Sequence, residues 1–254
     1  MNEQSTLAIK ELLYKMADDL LILGHRNSEW TGIGPMLEED IAFSSMAQDK
    51  IGQSLALYQI LNTLGEADPD TVAFTRNAPQ FHNCQLVEFP IGEYDFSLVR
   101  HFLFDNAELI RYEMLAQSSY EPLAKVARKF KGELKYHKFH GDTFLMKLGQ
   151  GTAESKERMQ KSLNEAWNYA LGIFESVPHE STLIAEGVWQ GEAALKARWI
   201  DAISPILEQA GLEIPAESTW APVYGGLQGE HTEHLQPLLD EMSEVFRVDP
   251  TAEW

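Results

Sequence analysis

Four long segments of this sequence show helical periodicity, and each carries an ionisable side chain on the stripe of residues that should face the core. On the third segment, Asp105 lies between Phe102 and Leu109, and on the fourth, His137 follows Leu134 on the same face. A buried charge is costly unless it is paired or bound to a metal. The sequence therefore predicts four helices around an interior that contains charge.

The apolar spacing predicts seven helices, with a long irregular connection between the second and the third. They cover about 7–24, 37–64, 94–117, 122–148, 154–175, 193–210 and 232–246. No convincing strand pattern appears. Helices of this length indicate an all-α, ferritin-like four-helix bundle with additional C-terminal helices. We expect a single domain over residues 1–254, with a core bundle at about 7–149 and additional helices at about 154–247.

The interior polar residues form the candidate site. A carboxylate or imidazole from each of the four helices, with one amide, should meet in a degenerate version of a di-iron site. Either Asp18 or Asp19 fits this role on the first helix. The full candidate set is Asp18, Asp49, Gln53, Asp105, Glu133 and His137.

A working di-iron carboxylate site needs a Glu from each of two helices and Glu-x-x-His from the other two. The residue three positions after Asp49 is Gly52, and the residue three positions after Glu133 is Tyr136. Two imidazole positions are therefore filled by residues that do not bind iron in this way. The ligand set is broken, and no metal is expected in this chain.

Two interpretations of the interior carboxylates remain open. In the first, they form a buried network of hydrogen bonds and ion pairs that Lys15 or Arg111 neutralises. In the second, a single metal binds weakly at Asp105, Glu133 and His137. The first is the simpler interpretation, because ligand number and geometry control metal binding.

Composition excludes several classes of partner. The net charge is −19, which argues against nucleic acid and against an anionic membrane surface. Cys84 is the single cysteine, so no internal disulfide can form. The N-terminus lacks the basic region of a signal peptide, and no apolar run is long enough to span a membrane. We expect a cytoplasmic protein.

Two further features lie near the C-terminus. His231 and His234 form a His-x-x-His pair that would share a face if the segment were helical. The metalloprotease motif is absent, and a helix start is the simpler interpretation of this segment. Trp254 is a candidate for docking against the protein or a partner.

Several motifs together resemble one family, the C subunits of the bacterial ring 1,2-phenylacetyl-CoA epoxidases. The resemblance extends along nearly the whole chain, and its motifs are specific as a set. They lie at residues 49–53, 73–76, 85–94, 100–105, 133–137, 148–152, 158–160, 231–235 and 238–242. The closing segment departs from the family pattern, because Asp249-Pro250 stands near the place of the usual Pro-Gly.

The resemblance implies a ferritin-like structural subunit that pairs with the homologous catalytic subunit of the epoxidase, its A subunit. In that family, the A subunit holds the di-iron site, while a separate reductase supplies electrons from NADPH. Oxygen then epoxidises the aromatic ring of a CoA thioester. The resemblance implies no cofactor in this chain, a di-iron centre in the partner, and a homodimer or hetero-oligomer.

Two other functions remain open. One is a self-contained, metal-dependent ferritin-like oxidase or oxygenase. The other is a stand-alone four-helix binding protein with no link to an oxygenase. The metal content of the purified protein distinguishes the oxidase from the structural subunit. Co-purification with a second ferritin-like chain distinguishes the structural subunit from the stand-alone binding protein.

Overall fold

A computed structural model describes residues 3–250, and all the regular structure within this range is helical. Trp254, the docking candidate, lies outside the described residues. The α-helices of the described range are α1 (Glu3–Ser28), α2 (Leu37–Thr63), α3 (Pro69–Phe74), α4 (Tyr94–Leu115), α5 (Glu121–Gly149), α6 (Ala153–Leu171), α7 (Glu180–Ala185), α8 (Glu192–Gln209) and α9 (Leu235–Val248). Short 3-10 turns lie between some of them.

The helices group into two compact units. The first contains the described parts of Met1–Pro90 and Gly225–Trp254, and the second is Ile91–Tyr224. Each unit is described by itself below. The expectation of one domain over residues 1–254 stays a prediction.

In the first unit, α1 and α2 pack against each other along their length. Every residue from Lys15 to Gly24 is buried, so the middle of α1 is enclosed on all sides. The Ser54 hydroxyl of α2 donates to the carbonyl of Ala17 at 2.8 Å. This enclosure forces any charge in the middle of α1 to find a partner inside the protein.

The irregular connection after α2 is ordered by local capping and by α9. Asp68 caps α3, because its side chain accepts from the backbone N–H of Thr71 at 3.0 Å. Helix α9 packs against α3, and the rings of Phe74 and Phe246 lie 5.5 Å apart. The C-terminal helix therefore covers the connection.

In the second unit, α4 is the central helix. Every residue from Ser97 to Leu109 is buried, and α5, α6 and α8 all pack against this helix. A methyl group at Gly141 of α5 would lie 3.2 Å from the His101 ring and from the Phe102 Cα, so glycine permits a close approach there. The Trp199 indole of α8 donates to the Leu103 carbonyl at 2.9 Å.

The predicted all-α class is confirmed, and the architecture is consistent with a ferritin-like fold. All seven predicted helices are present, while the short α3 and α7 were not predicted. The segment from His231 to His234 precedes α9, so its two imidazoles do not share a helix face. Within residues 3–250, no helix is long and apolar enough to cross a membrane.

Candidate functional site

Asp18 of α1 is fully buried and lies at the centre of a hydrogen-bond network in the first unit. Its carboxylate accepts two hydrogen bonds from the Arg76 guanidinium, at 2.6 and 2.9 Å. The Tyr58 hydroxyl donates to it at 2.5 Å, and the His82 backbone N–H donates at 2.8 Å. Such a bidentate, hydrogen-bonded pair is the arrangement in which a carboxylate can be buried without a metal.

The partners of Asp18 are themselves held in place. Arg76 also donates to the carbonyls of Val72 and Gln80, at 2.6 and 2.9 Å, and its guanidinium lies 4.0 Å above the Phe81 ring. Burial, followed by the charge of Asp18, raises the pKa of the Tyr58 hydroxyl well above its ordinary value. Tyr58 therefore stays a hydrogen-bond donor.

Asp19 is also fully buried. The sequence analysis offered Asp18 or Asp19 as the interior carboxylate of the first helix, and in the structure both are interior, with different partners. Its Oδ1 accepts from the backbone N–H of Cys84 at 2.7 Å. Burial, together with the neighbouring Asp19 carboxylate, raises the pKa of the Cys84 thiol well above its ordinary value. Cys84 stays protonated and lacks the electropositive, exposed setting of a reactive cysteine.

On α2, the interior positions lie one residue later than the sequence spacing assumed. Gln53 is fully buried as predicted, and Lys50 is fully buried with it. Asp49 is only half-buried, and Gly52 is exposed with open space where a side chain would stand. The buried pair spaced by three residues is therefore Lys50 and Gln53, instead of Asp49 and Gly52.

The same shift occurs on α5. His137 is fully buried, and the buried residue three positions before it is Leu134. Glu133 is half-buried, and Tyr136 is 48% exposed. The structure therefore places His137 in the interior, but it places Glu133 at the edge of the core.

In the second unit, three histidines lie at or near Asp105 of α4. Its Oδ2 lies 2.5 Å from His101 Nδ1, and its Oδ1 lies 3.5 Å from His137 Nδ1. His140 Nδ1 lies 3.2 Å from His101 Nε2. The sequence analysis missed His101 and His140, although His101 precedes Asp105 by one helical turn on α4, and His140 follows His137 by one turn on α5.

These residues do not fit a metal site. In the described part of the chain, no three His, Cys, Asp or Glu residues are arranged to hold a metal ion. Two ligands at about 2.1 Å from one metal lie about 3 Å or more apart, because their bonds meet at 90° or more. His101 and Asp105 are closer, at 2.5 Å, which is the spacing of direct partners. The di-iron donor set is not reproduced on α2 or α5 either.

Another buried carboxylate in the first unit, Glu88, escaped the sequence analysis. It is fully buried, and its two oxygens accept from the side chain of Asn83 at 2.9 Å and from the backbone and hydroxyl of Thr232, each at 2.7 Å. His231 Nδ1 lies 2.7 Å from the carboxylate, and Arg26 donates twice to the Glu88 carbonyl. His231 therefore serves to join the segment before α9 to the connection after α2.

The sequence analysis considered Lys15 and Arg111 as partners of the interior carboxylates. Arg111 lies in the second unit. It is fully buried and donates to the Ile173 carbonyl at 3.1 Å and to Glu192 at 3.3 Å. Glu108 lies 3.9 Å from it on the same helix. Arg111 thus pairs with Glu192 and lies near Glu108 within its own unit.

Comparison with known proteins relates this chain to one family and to two subunits of one enzyme. The profile of the family described as "Phenylacetic acid catabolic protein" matches residues 1–254. The chain is 33% identical over 241 residues to the C subunit of the 1,2-phenylacetyl-CoA epoxidase of Escherichia coli (strain K12), and the match covers 94% of this chain and 96% of that protein. It is 26% identical over 191 residues to the A subunit of the same enzyme, and that match covers 73% of this chain and 62% of the relative.

The Asp18 network can be tested by removing its charge. We expect Asp18→Asn to lower the free energy of unfolding by about 3 to 5 kcal/mol, because Arg76 then keeps a buried positive charge without its carboxylate. Urea denaturation measures this change. The matched control is Asp201→Asn at an exposed position of α8, which should change stability by less than about 0.5 kcal/mol. Equal effects of the two substitutions would contradict the network.

Substitution of Asp105 and of Glu133 should lower stability by different amounts. Asp105→Ala leaves buried imidazoles without their acceptor, and we expect a loss of about 1 to 3 kcal/mol or more. Glu133→Ala should cost clearly less, because water reaches this half-buried side chain. Thermal unfolding followed by circular dichroism measures both. A larger loss for Glu133→Ala would show that Glu133 belongs to the buried network.

Proposed function

The chain belongs to the family of phenylacetic acid catabolic proteins, and from this we propose that it is a non-catalytic structural subunit of a 1,2-phenylacetyl-CoA epoxidase. In this proposal it supports a homologous catalytic partner, the counterpart of the A subunit, which contains the di-iron centre. This chain itself holds no cofactor. A role in aerobic phenylacetate breakdown in the cytoplasm follows from the same assignment.

The observation that carries this proposal is the buried lysine on α2, Lys50. A di-iron carboxylate protein requires Glu-x-x-His at the buried positions of two helices. Here the corresponding buried pairs are Lys50 with Gln53 on α2, and Leu134 with His137 on α5. Lys50 supplies neither a carboxylate nor an imidazole at its position, and the alkyl side chain of Leu134 supplies no ligand.

The buried carboxylates also support a structural role. Asp18 is engaged by Arg76 and Tyr58, and Asp105 faces two imidazoles. Each carboxylate is thus committed to partners within its own unit. The same contacts count against the alternative of a self-contained metal-dependent oxidase, because a ligand must be free to approach the metal.

The exposed face of α2 supports the pairing with a second protein chain. All of its exposed residues except Glu38 are uncharged, and they include Leu37, Ile41, Ile51 and Leu55. This depletion of charge is typical of the core of a protein interface. Gly52 lies on the same face and leaves room for close approach. We therefore place the contact with the catalytic partner on this face.

Reconstitution from separately purified proteins tests the proposal. We expect this chain, with reductase and NADPH but without the catalytic partner, to give no epoxidation of phenylacetyl-CoA. Adding the catalytic partner should give a complex in size-exclusion chromatography and substrate-dependent NADPH oxidation. The double variant Ile41→Glu/Leu55→Glu should lose co-elution, because two charges enter an uncharged contact.

The matched control places the same charges at other exposed apolar positions, as Leu7→Glu/Ile184→Glu. This control should retain the complex and its activity. Full activity of the catalytic partner without this chain, or activity of this chain by itself, would contradict the structural role. Unchanged co-elution of Ile41→Glu/Leu55→Glu would exclude the α2 face but leave the role intact.

A further inference from the structure

Helix α5 carries an excess of positive charge in a chain whose net charge is −19. It contains seven Lys or Arg residues but only three Asp or Glu residues. Lys125, Lys129 and Lys135 are all exposed. Within the described part of the chain, Arg128 pairs with Glu121, whereas Lys125 and Lys135 have no acidic partner. At these two positions, the positive charge is therefore not neutralised by the described chain itself.

Gly132 lies between the exposed lysines of α5. Because successive residues of an α-helix are rotated by about 100°, Lys129 and Lys135 lie about 60° to either side of Gly132, one turn before it and one turn after it. Lys125 lies two turns before Gly132 and about 20° from it. The cations therefore surround the glycine on the exposed side of the helix.

The structure gives no internal reason for glycine at position 132. Glycine within a helix lowers its stability relative to alanine. At Gly141 of the same helix, the close approach of His101 accounts for glycine, but Gly132 is exposed and differs. No neighbouring atom of the described residues lies within 4 Å of the place where its side chain would begin. The space beside Gly132 is therefore open to a molecule from outside the chain.

Two aromatic side chains continue the same side of α5. Tyr136 and Phe139 follow Gly132 by four and seven residues, which places both within about 40° of it around the helix. Tyr136 is 48% exposed and Phe139 is 67% exposed. We call this side the basic face of α5, defined by Lys125, Lys129, Gly132, Lys135, Tyr136 and Phe139. It combines cations around an open glycine with exposed rings one and two turns further on.

The basic face of α5 suits a small ligand that carries both phosphates and a flat base. Cations beside exposed aromatic rings bind the phosphates and bases of single-stranded nucleic acids in this way. Charges on a protein surface interact over about 8 Å at physiological ionic strength. A long polyanion would extend beyond this distance and meet the acidic remainder of the chain, whereas a single nucleotide would not.

We propose that the basic face of α5 binds the nucleotide end of a CoA thioester. The phosphates lie over Gly132, between Lys129 and Lys135, and the adenine stacks on Tyr136 or Phe139. The choice of CoA among nucleotides rests on the proposed function, because the related enzyme is named as a phenylacetyl-CoA epoxidase. In this proposal, the chain holds one end of the substrate while the catalytic partner acts on the other.

Calorimetric titration of the purified chain, without the catalytic partner, tests the binding. We expect CoA and adenosine 3′,5′-bisphosphate to bind, pantetheine not to bind, and inorganic pyrophosphate to bind more weakly than CoA because it has no ring to stack. Lys129→Ala/Lys135→Ala should weaken CoA binding by about tenfold or more, since contacts to two charged groups are lost. Gly132→Leu should weaken it as well by filling the open space, although leucine favours the helix.

Steady-state kinetics of the reconstituted complex test the same contact during turnover. Lys129→Ala/Lys135→Ala should raise KM for phenylacetyl-CoA by about tenfold and leave kcat unchanged, because the contact is remote from the reacting ring. The KM for phenylacetyl-N-acetylcysteamine, a thioester without the nucleotide, should not change. The matched control is Lys156→Ala/Lys161→Ala at exposed positions of α6, which removes the same charge and should leave every value unchanged.

Several results would overturn the proposal. They are a wild-type chain that binds no CoA, equal CoA binding by Lys129→Ala/Lys135→Ala, and pyrophosphate that binds as tightly as CoA. If this variant loses co-elution with the catalytic partner but binds CoA normally, the basic face of α5 is a protein contact and the proposal is also wrong. The titration needs no catalytic partner, so a complex that fails to form contradicts the proposed function and leaves the CoA result standing.

Discussion

A carboxylate enclosed by apolar helices must be neutralised where it lies, and the pair of Asp18 and Arg76 meets this constraint in the first unit. The guanidinium binds the carboxylate in a bidentate manner at 2.6 and 2.9 Å, and Tyr58 completes the shell. Arg76 belongs to the irregular connection after α2, where it also holds two carbonyls. The buried charge of α1 therefore orders a connection that has little helix of its own. Glu88 and His231 repeat this arrangement nearer to α9.

The same constraint shapes the second unit and limits its chemistry. Asp105 is buried against His101 and His137, with its oxygens turned towards their Nδ1 atoms. The 2.5 Å between Asp105 and His101 is the spacing of direct partners and is shorter than the separation of two ligands on one metal. Together with the buried Lys50 of the first unit, this arrangement supports the proposal that the chain keeps the layout of long helices and serves as structural support.

The helices could be predicted from the sequence because their apolar stripes follow helical periodicity over many turns. The sequence did not predict which residues of these helices face the interior. Asp49 and Glu133 look like buried ligands when carboxylates are sought, whereas the buried residues are Lys50 and Leu134. A lysine in a helix usually indicates a solvated face, so its burial leaves no local signal. The choice between Asp18 and Asp19 also depended on partners outside the helix.

Contacts between residues far apart in the sequence could not be predicted either. Glu88 and His231 are 143 residues apart. Each lies in a motif that the resemblance uses, but neither motif indicates that the two side chains are partners. Asp105 and His137 were predicted because both interrupt apolar stripes on long helices. His101 could have been found in the same way, since it precedes Asp105 by one turn, but its neighbours Arg100 and Phe102 are also buried. A helix that is enclosed on all sides gives no single stripe to follow.

We propose that ion pairs and hydrogen bonds hold the interior of this chain in place of iron. The most direct test is the iron content of the chain purified without its partner, after expression with ample iron. Elemental analysis and the absorption spectrum should show far less than stoichiometric iron and no di-ferric band. Two tightly bound irons per chain, with that band, would contradict the account.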